Sequence, residues 1–412
     1  MGETTLPQTA LEPRERFLDR LARRAVRARL ARLEEGALSF VEDGRRETFG
    51  ARRPGPVATI RVNDRRLYRQ LALRGPLGGA EAYLGGLWQA DDLVSVVRVL
   101  ARNQAALQGL DGGLARLARP GLRVLHALRR NSRRGSRRNI AAHYDLGNDF
   151  FELFLDPTLT YSCGIFERAG ASLEEASVAK LERACARLGL GPGDHVLDIG
   201  GGWGSFALHA AARRGCRVTT TTVSRAQFEL ARRRVTEAGL ADRVTVLCRD
   251  DRDLGGRYDA LVSIEMIEAV GHAHLDAFFR VATERLRPGG CMFLQAITVP
   301  EKDYERSVRS VDFVKRHVFP GGQLVSLGAI CGALARTSDL RVTRLEDITR
   351  HYAETLRCWR ERFLGNLERI RALGLGERFL RLWEFYLCYC EGAFRERANG
   401  AVQMVLERPA HG

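Results

Sequence analysis

The stretch Asp194-His-Val-Leu-Asp-Ile-Gly-Gly-Gly-Trp-Gly-Ser-Phe206 decides the fold of this chain of 412 residues. Residues 195–199 predict a short buried strand, and residues 205–212 predict the start of a helix. The glycines between them let a ligand approach the backbone, and the helix end offers free N–H groups. A strand, a glycine turn and a helix N-terminus in this order predict a nucleoside-cofactor site.

The spacing of the glycines indicates which cofactor. A dinucleotide fingerprint has the pattern Gly-x-Gly-x-x-Gly, and counting from Gly200 its third glycine falls on Ser205. That fingerprint also needs an acidic residue about 20 positions further on, at the end of the second strand. The predicted second strand contains no acid. Asp198 followed by Gly200, Gly202 and Gly204 resembles instead the first motif of class I S-adenosylmethionine (SAM) methyltransferases. A tight strand–helix turn in another α/β protein is the alternative.

Composition limits the class of protein. The hydrophobic fraction of 45% and the charged fraction of 28% are typical of a soluble globular protein, and the length allows two or three domains. Nine cysteines without a Cys-x-x-Cys pair predict free thiols in a reducing cytosol and no metal site. Residues 1–13 lack the pattern of a signal peptide, and no apolar run approaches the roughly 18 residues of a membrane span.

The formal charge of +15 favours a polyanionic partner, either nucleic acid or an anionic lipid surface. Nearly all of the positive charge is arginine, because lysine occurs only at positions 180, 302 and 315. Residues 111–138 are rich in arginine and glycine and predict a linker, for which a solvated charge run is the simplest interpretation. This segment has no aromatic residues for base stacking, so contact with lipid phosphates is favoured over nucleic acid.

Residues 1–110 predict a small α+β domain with a binding role. Its expected elements are a helix over 11–35, a hairpin turning at Asp43-Gly44, a strand over 57–62, and helices on both sides of a glycine-rich bend at 75–79.

From residue 139 to 412 the pattern predicts a separate catalytic domain. Strands alternate with helices, which is typical of a parallel, doubly wound α/β sheet. After Pro300 the chain is mostly helical, with one further strand over 341–346. The expected sheet strands are residues 195–199, 217–224, 244–247, 260–264 and 291–297, the last one preceded by a turn at Pro288-Gly-Gly.

In an open α/β sheet the ligand lies at the carboxyl ends of the strands, so the glycine turn should meet the methionine part of SAM. Polar side chains that follow the second and third strands are the predicted contacts to the ribose and the adenine. They are Thr222, Ser224 and Gln227 for the ribose, and Asp250 and Asp251 for the adenine. Ordinary strand-end capping is the alternative role for Thr222 and Ser224.

A carboxylate follows the fourth strand, in Ser263-Ile-Glu-Met-Ile-Glu-Ala-Val-Gly271. Glu268 lies in a largely apolar loop close to where the sulfonium should point, and a carboxylate there can stabilise positive charge. Its alternative roles are a helix N-cap or a surface acid.

Six segments stand in the order of the cyclopropane-fatty-acyl-phospholipid synthase family, and the chain resembles that family over about residues 139–407. Residues 60–104 also resemble the small N-terminal domain of its longer, bacterial-type members. The six segments are His143-Tyr-Asp-Leu-Gly-Asn-Asp-Phe-Phe151, Tyr161-Ser-Cys-Gly164, Val196-Leu-Asp-Ile-Gly-Gly-Gly-Trp-Gly204, Glu268-Ala-Val-Gly271, Phe319-Pro-Gly-Gly322 and Gly392-Ala-Phe-Arg395.

This resemblance implies a Rossmann-like SAM methyltransferase domain with a mostly helical lipid-binding cover, preceded by the small α+β domain. The implied reaction is methylene transfer from SAM to the cis double bond of an unsaturated phospholipid acyl chain, through a carbocation that aromatic rings and a buried negative charge stabilise. The candidate rings, each of which could instead be core, are Tyr144, Phe150, Phe151, Tyr161, Tyr352, Trp359 and Phe394.

In the family a bound bicarbonate removes the final proton. Carried over to this chain, its cradle consists of the backbone at Cys163 and Ile297, the side chain of Glu268 and the hydroxyl of Tyr352. The remaining ligand, usually histidine, falls on Gln295, which can donate a hydrogen bond to an anion but cannot become cationic.

The resemblance also places Tyr161 and Ser162 at the cofactor. Two departures from the family concern Asp251, where relatives usually have an aromatic residue against the adenine, and Ala269, where some have histidine. They predict weaker or differently arranged cofactor binding.

Three other functions stay open. The same first step could give a methylene- or methyl-branched (10-methyl type) acyl chain, a small-molecule amine could be the methyl acceptor, or the chain could be a basic binding protein with a vestigial SAM fold.

The protein is expected in the cytoplasm, peripherally associated with the inner face of an anionic membrane. Relatives suggest a homodimer, and no nucleic-acid partner is expected.

Overall fold

The computed structural model describes residues 17–107 and 147–410, and it divides the chain into two compact units. Of the described residues, 17–92 and 103–107 belong to the first unit, and 93–102 and 147–410 belong to the second. The predicted linker over 111–138 and the side chains of Tyr144 and Asp251 lie outside the described part of the chain. None of the described helices is long and apolar enough to cross a membrane.

The first unit is built on a four-stranded sheet in the order β2-β1-β3-β4. Strand β1 pairs with β2 through the predicted Asp43-Gly44 turn, which is confirmed, and runs parallel to β3. The strands are β1 (Glu35–Glu42), β2 (Arg45–Gly50), β3 (Arg53–Val62) and β4 (Trp88–Ala90). The helices are α1 (Phe17–Leu30), α2 (Arg66–Leu84) and α4 (Gln104–Leu107).

Two details of this unit differ from the sequence predictions. The glycine-rich bend is a kink inside α2, where Gly75 has a φ of 59° and Pro76 follows. Strand β4 was not predicted, because its three residues lie within a region of helical composition. It is held in place by Trp88, whose indole N–H donates to the carbonyl of Gly79 at 2.8 Å.

The second unit contains the predicted doubly wound sheet, with seven strands in the order β10-β11-β9-β8-β5-β6-β7. Strands β5 to β9 are parallel, and β11 enters antiparallel to both of its neighbours. The strands are β5 (His195–Ile199), β6 (Arg217–Thr222), β7 (Val244–Cys248), β8 (Tyr258–Ile264), β9 (Leu286–Thr298), β10 (Arg341–Asp347) and β11 (Gly400–Glu407).

Helices cover both faces of this sheet, as neighbouring side chains on one strand show: Leu197 packs into one apolar cluster and Val196 into the opposite one. The helices are α3 (Leu93–Arg102), α5 (Asn148–Glu152), α6 (Leu173–Arg187), α7 (Ser205–Arg214), α8 (Arg225–Glu237), α9 (Ile267–Val270), α10 (Leu275–Arg285), α11 (Glu301–Arg309), α12 (Phe313–His317), α13 (Leu327–Thr337), α14 (Thr349–Gly365), α15 (Leu367–Ala372) and α16 (Glu377–Arg395).

The prediction of a turn at Pro288-Gly-Gly is wrong, because these residues lie within β9. A β-carbon on Gly290 would stand 2.6 Å from the carbonyl oxygen of Asp259, so the glycine lets β9 approach β8 closely. The pairing of the two strands shifts register at this point, which indicates a bulge in a continuous strand.

Helix α3 belongs to the second unit although the sequence placed it in the N-terminal domain. Gly392 of α16 explains the close packing, since a β-carbon there would lie 2.7 Å from Val97 Cγ1. Arg98 and Arg102 of α3 both pair with Glu396, each at 2.6 Å. The Gly392-Ala-Phe-Arg segment therefore has a packing role.

Replacing Gly392 by alanine should lower the free energy of unfolding by about 1–3 kcal/mol, because the new methyl group overpacks the contact with α3. Gly365→Ala is the matched control, since nothing lies within 4 Å of its β-carbon position in α14. This control should be neutral or stabilise by up to about 1 kcal/mol. Chemical denaturation of both variants measures the difference, and equal stability would contradict the packing role.

Candidate active site

The predicted cofactor turn joins β5 to α7. Gly200, Gly202 and Gly204 have φ values of 78°, 59° and 83°, which only glycine adopts readily. Gly204 caps α7 without a side-chain hydrogen bond, so the start of this ten-residue helix can present its N–H groups to a ligand. This backbone fits the SAM site that the motif predicts.

Asp198 supports the turn from the sheet. It is buried and accepts a hydrogen bond from the hydroxyl of Thr220 at 2.7 Å, and burial raises its pKa to about 7. A β-carbon on Gly201 would stand 2.2 Å from the Asp198 carboxylate and 2.0 Å from the Thr220 hydroxyl. A side chain therefore has no room at Gly201, which was not among the predicted site residues.

The predicted ribose contacts form one capping network at the start of α8. Thr222 donates to the side-chain oxygen of Gln227 at 2.7 Å, and the N–H of Ser224 donates to Thr222 at 3.1 Å. The N–H of Gln227 donates in turn to the Ser224 hydroxyl at 3.3 Å. A β-carbon on Gly202 would lie 3.8 Å from the Gln227 amide nitrogen, so this network borders the glycine turn.

At the third strand, Asp250 is buried and binds the guanidinium of Arg252 through both oxygens, each at 2.7 Å. Its carboxylate is thus fixed at the carboxyl edge of the sheet. The side chain of Asp251, the other predicted adenine contact, lies outside the described residues.

The loop after β8 packs directly on the cofactor turn. A β-carbon on Gly200 would stand 2.6 Å from Met266 Cγ, so this side chain lies against the glycine. Glu265 precedes it with a φ of 52°, a left-handed conformation that costs a non-glycine residue about 1 kcal/mol or more. The loop therefore brings Glu265 and Glu268 next to the predicted SAM site.

Glu265 occupies the anion cradle that the family resemblance implies. Its Oε1 accepts hydrogen bonds from the backbone N–H of Cys163 at 2.9 Å and from the Gln295 amide at 2.8 Å. Its Oε2 accepts from the hydroxyl of Tyr352. Gln403 of β11 donates to the Gln295 oxygen at 2.8 Å, which turns the amide nitrogen of Gln295 towards Glu265.

Glu268 lies beside this cradle. Its Oε1 accepts from the backbone N–H of Ile297, whereas its Oε2 is buried without a hydrogen-bond partner among the described residues. Burial raises the pKa of Glu268 to about 8, and the nearby Glu265 charge adds to the effect. A buried oxygen without a partner indicates that a ligand completes the site.

A buried lysine balances the two acids. Lys180 of α6 donates to the hydroxyl of Ser162, and burial lowers its pKa to about 8. Burial also raises the pKa of Glu265, while the donors in the cradle and the Lys180 charge oppose that rise. Lys180 thus favours a negative charge in the cleft.

Tyr352 and Cys163 act as neutral groups. Burial raises the pKa of both well above the ordinary range, so the Tyr352 hydroxyl remains a hydrogen-bond donor. The Cys163 thiol donates to the carbonyl of Gly164 at 3.2 Å and remains protonated. The backbone N–H of Cys163, and not its thiol, is the group that binds Glu265.

Bicarbonate does not fit this cradle. The backbone donors at Cys163 and Ile297 and the side chains of Tyr352 and Gln295 already bind the chain's own carboxylates. A second anion there would add negative charge beside Glu265 and find no unused donor among these four groups.

The predicted rings form two neighbouring groups, which touch where Phe151 lies 5.4 Å from Tyr161. Tyr352, whose hydroxyl binds Glu265, stacks on Phe394 with ring centroids 4.3 Å apart and lies 6.3 Å from Trp359, which is 5.1 Å from Tyr161. These four rings therefore form one cluster beside Glu265. The Tyr161 hydroxyl is 3.1 Å from that of Tyr386, which adds a fifth aromatic side chain.

The other group belongs to the core. Phe150 and Phe151 have no exposed surface and pack with Phe154 and Trp383 behind the cleft. Phe151 also contacts Tyr161, so this core continues into the rings beside the glutamates.

The sequence reasoning missed Glu265 and Lys180. Glu265 stands in the same loop as Glu268, three residues earlier, and this second acid was the available signal. Lys180 is one of only three lysines in an arginine-rich chain. No group of three or more His, Cys, Asp or Glu side chains in the described ranges could hold a metal ion.

Comparison with known proteins identifies the family. Residues 131–404 match the family described as mycolic acid cyclopropane synthetase. The chain is 39% identical over 349 residues to the tuberculostearic acid methyltransferase UfaA1 of Mycobacterium tuberculosis, covering 83% of this chain and 81% of that protein. It is 36% identical over 357 residues to the cyclopropane-fatty-acyl-phospholipid synthase of Escherichia coli, covering 85% and 88%.

A solved structure agrees with this assignment. The mycolic acid cyclopropane synthase CmaA1, complexed with S-adenosylhomocysteine (SAH) and CTAB, is 34% identical with a TM-score of 0.62, covering 66% of this chain and 98% of that one. The predicted Rossmann-like fold is therefore confirmed. The chain belongs to the mycolic acid cyclopropane synthetase family and is a SAM-dependent methyltransferase that modifies lipid acyl chains.

Proposed function

We propose that the protein adds the methyl carbon of SAM across the cis double bond of an unsaturated phospholipid acyl chain and closes a cyclopropane ring. The single observation that carries this proposal is the pair of buried glutamates beside the glycine turn, one of which binds the hydroxyl of Tyr352 within a cluster of aromatic rings. Aromatic and apolar side chains suit an acyl chain, and buried carboxyl groups suit a cationic reaction centre.

When bound, SAM supplies an electrophilic methyl group on its sulfonium. The turn at Gly200 to Gly204 and the network of Thr222, Ser224 and Gln227 hold the cofactor at the carboxyl edge of the sheet. Asp250 lies at the same edge after the third strand. Because Met266 packs on Gly200, the segment after β8 that carries Glu265 and Glu268, here called the acidic loop, borders the cofactor site.

The chain's own groups stabilise the positive charge that develops on the alkene carbon. Tyr161, Tyr352, Trp359 and Phe394 present ring faces and exclude water from the cation. Glu268 keeps one buried oxygen without a partner, which can face the positive centre. Such preorganised groups are worth more in a water-excluded site than in bulk water.

A branched acyl chain is the second candidate product. The identity of 39% to a tuberculostearic acid methyltransferase favours it, since that relative is associated with methyl branching. The first step is the same, and the product differs in whether the cation closes a ring or shifts a hydride before it loses a proton.

Helix α1 supports docking on an anionic membrane. Arg20 and Arg24 are exposed one turn apart, and Leu21 between them is 57% exposed. Exposed arginines beside an apolar side chain are suited to lipid phosphates and the adjoining acyl boundary. Peripheral association with the inner face of a cytoplasmic membrane follows from this proposal.

Purified protein incubated with SAM and vesicles of monounsaturated phospholipid should add one CH2 to the acyl chain. Mass spectrometry of the fatty acid methyl esters before and after hydrogenation distinguishes the products. A gain that resists hydrogenation indicates a ring, and one that takes up hydrogen indicates a methylene branch. Turnover with an amine but with no lipid would contradict the proposal.

Glu268→Gln should lower kcat by about 100- to 1,000-fold while SAM binding is retained, because the amide, unlike the carboxyl group, cannot ionise beside the cationic reaction centre. The variant should also unfold less readily than the wild type at high pH. The pKa of Glu268 is raised to about 8 in the folded protein. The free energy of unfolding of the wild type therefore falls as pH rises from the pKa of the unfolded chain towards 8. The glutamine variant does not titrate there and keeps its stability.

Enzyme assays, SAM titration and denaturation at pH 5 and pH 9 measure these effects, with the exposed Glu237→Gln as the control. A fully active Glu268→Gln would remove this residue from the mechanism. A stability difference that is larger at pH 5 than at pH 9 would contradict its buried, raised pKa.

Replacing Arg20 and Arg24 together by glutamine should weaken binding to phosphatidylglycerol vesicles about 30-fold, since each surface arginine contributes about 1 kcal/mol. The control replaces the exposed Arg213 and Arg233, which removes the same charge from another surface. Co-sedimentation measures binding. Equal losses in both double variants would indicate net charge alone and contradict docking through α1.

A further inference from the structure

We propose that Glu265 is the base that removes the proton from the transferred methyl group, in place of the bicarbonate ion that the family resemblance implies. This inference rests on the proposed function, because it assigns a role within that reaction. It replaces an external anion with a side chain of the protein itself.

The hydrogen bonds around Glu265 carry the proposal. A carboxylate presents two oxygens in the same planar arrangement as bicarbonate, and the three donors of the cradle converge on it. Its Oε1 has two donors and its Oε2 has one, the Tyr352 hydroxyl. Since each carboxylate oxygen has two lone pairs, Oε2 retains the capacity to accept a proton.

The surrounding charges and donors give the two glutamates different roles. The Lys180 charge favours the ionised form of Glu265, and the Glu265 charge in turn raises the pKa of Glu268. With three donors against the single donor of Glu268, Glu265 is the better stabilised as an anion. It is therefore the acid that can act as a base while Glu268 faces the cation.

The alkene π pair forms a bond to the sulfonium methyl carbon, the S–C bond breaks with its pair on sulfur, and the second alkene carbon becomes a cation. Glu265 Oε2 accepts a proton from the new methyl group, and that C–H pair forms the third bond of the ring. Glu265 is then a carboxylic acid and releases the proton to solvent before the next turnover. A branched product would need the same base after a hydride shift.

The backbone at Glu265 makes the test practical. Its φ of 52° is a conformation that glycine adopts without strain, so Glu265→Gly should preserve the loop and empty the cradle. Glu265→Gln keeps the cradle filled but removes the base. The glycine variant therefore tests the loss of the whole side chain, and the glutamine variant tests the loss of its basic carboxylate alone.

The first arm measures bicarbonate binding directly, without lipid. Line broadening of 13C-bicarbonate in the presence of SAH-loaded protein should reveal binding to Glu265→Gly and none to the wild type or to Glu265→Gln. Saturable binding to the wild type, lost when Glu268 or Tyr352 is replaced, would overturn the proposal. This arm stands even if the lipid substrate proposed above is incorrect.

The second arm measures turnover of unsaturated phospholipid in carbonate-depleted buffer, with and without added bicarbonate. The wild-type rate should be indifferent to bicarbonate. Both variants should lose about 100- to 10,000-fold in kcat, with SAM affinity retained and Glu237→Gln unaffected. Added bicarbonate should restore turnover in Glu265→Gly and not in Glu265→Gln.

A wild-type rate that rises with bicarbonate, or a Glu265→Gln variant as active as the wild type, would overturn the assignment of the base while leaving the proposed function intact. Failure of the wild type to modify any unsaturated lipid would instead reject the proposed function. The binding arm would then still decide whether Glu265 takes the place of bicarbonate in the cradle.

Discussion

The burial of two carboxylates in one cleft is the constraint on which the site depends. Removing a carboxylate from water costs several kcal/mol, so each buried acid needs donors or an opposite charge. Glu265 obtains its donors from three separate segments, at Cys163, Gln295 and Tyr352, and Lys180 supplies the cation. The acid that reacts is therefore also the junction that holds the acidic loop, β9 and α14 together.

This arrangement couples the two halves of the reaction. Met266 presses the acidic loop against Gly200, where the cofactor should lie, while Glu265 ties the same loop to Tyr352 among the aromatic rings. Left-handed backbone at Glu265 is a strained feature of the kind found at functional sites. The strain is maintained because hydrogen bonds on both sides of the loop fix its position.

Much of the catalytic fold could be predicted from the sequence, because the parallel strands and the glycine turn are local patterns. Strand β11 could not, since it is defined by its pairing with β9 and β10, far away in the chain. The Pro288-Gly-Gly segment looked like a turn, and only the close approach of Gly290 to Asp259 reveals it as strand. Within the site, the sequence predicted Glu268 and Tyr352 but not Glu265, because composition cannot tell which of two acids the donors will bind.

The most direct measurement is a crystal structure of the SAH complex grown in bicarbonate. We expect SAH along the turn at Gly200 to Gly204, with its sulfur towards the aromatic rings, and the Glu265 carboxylate bound to Cys163 N, Gln295 and Tyr352. A separate trigonal anion on those donors, with Glu265 turned away, would contradict this expectation.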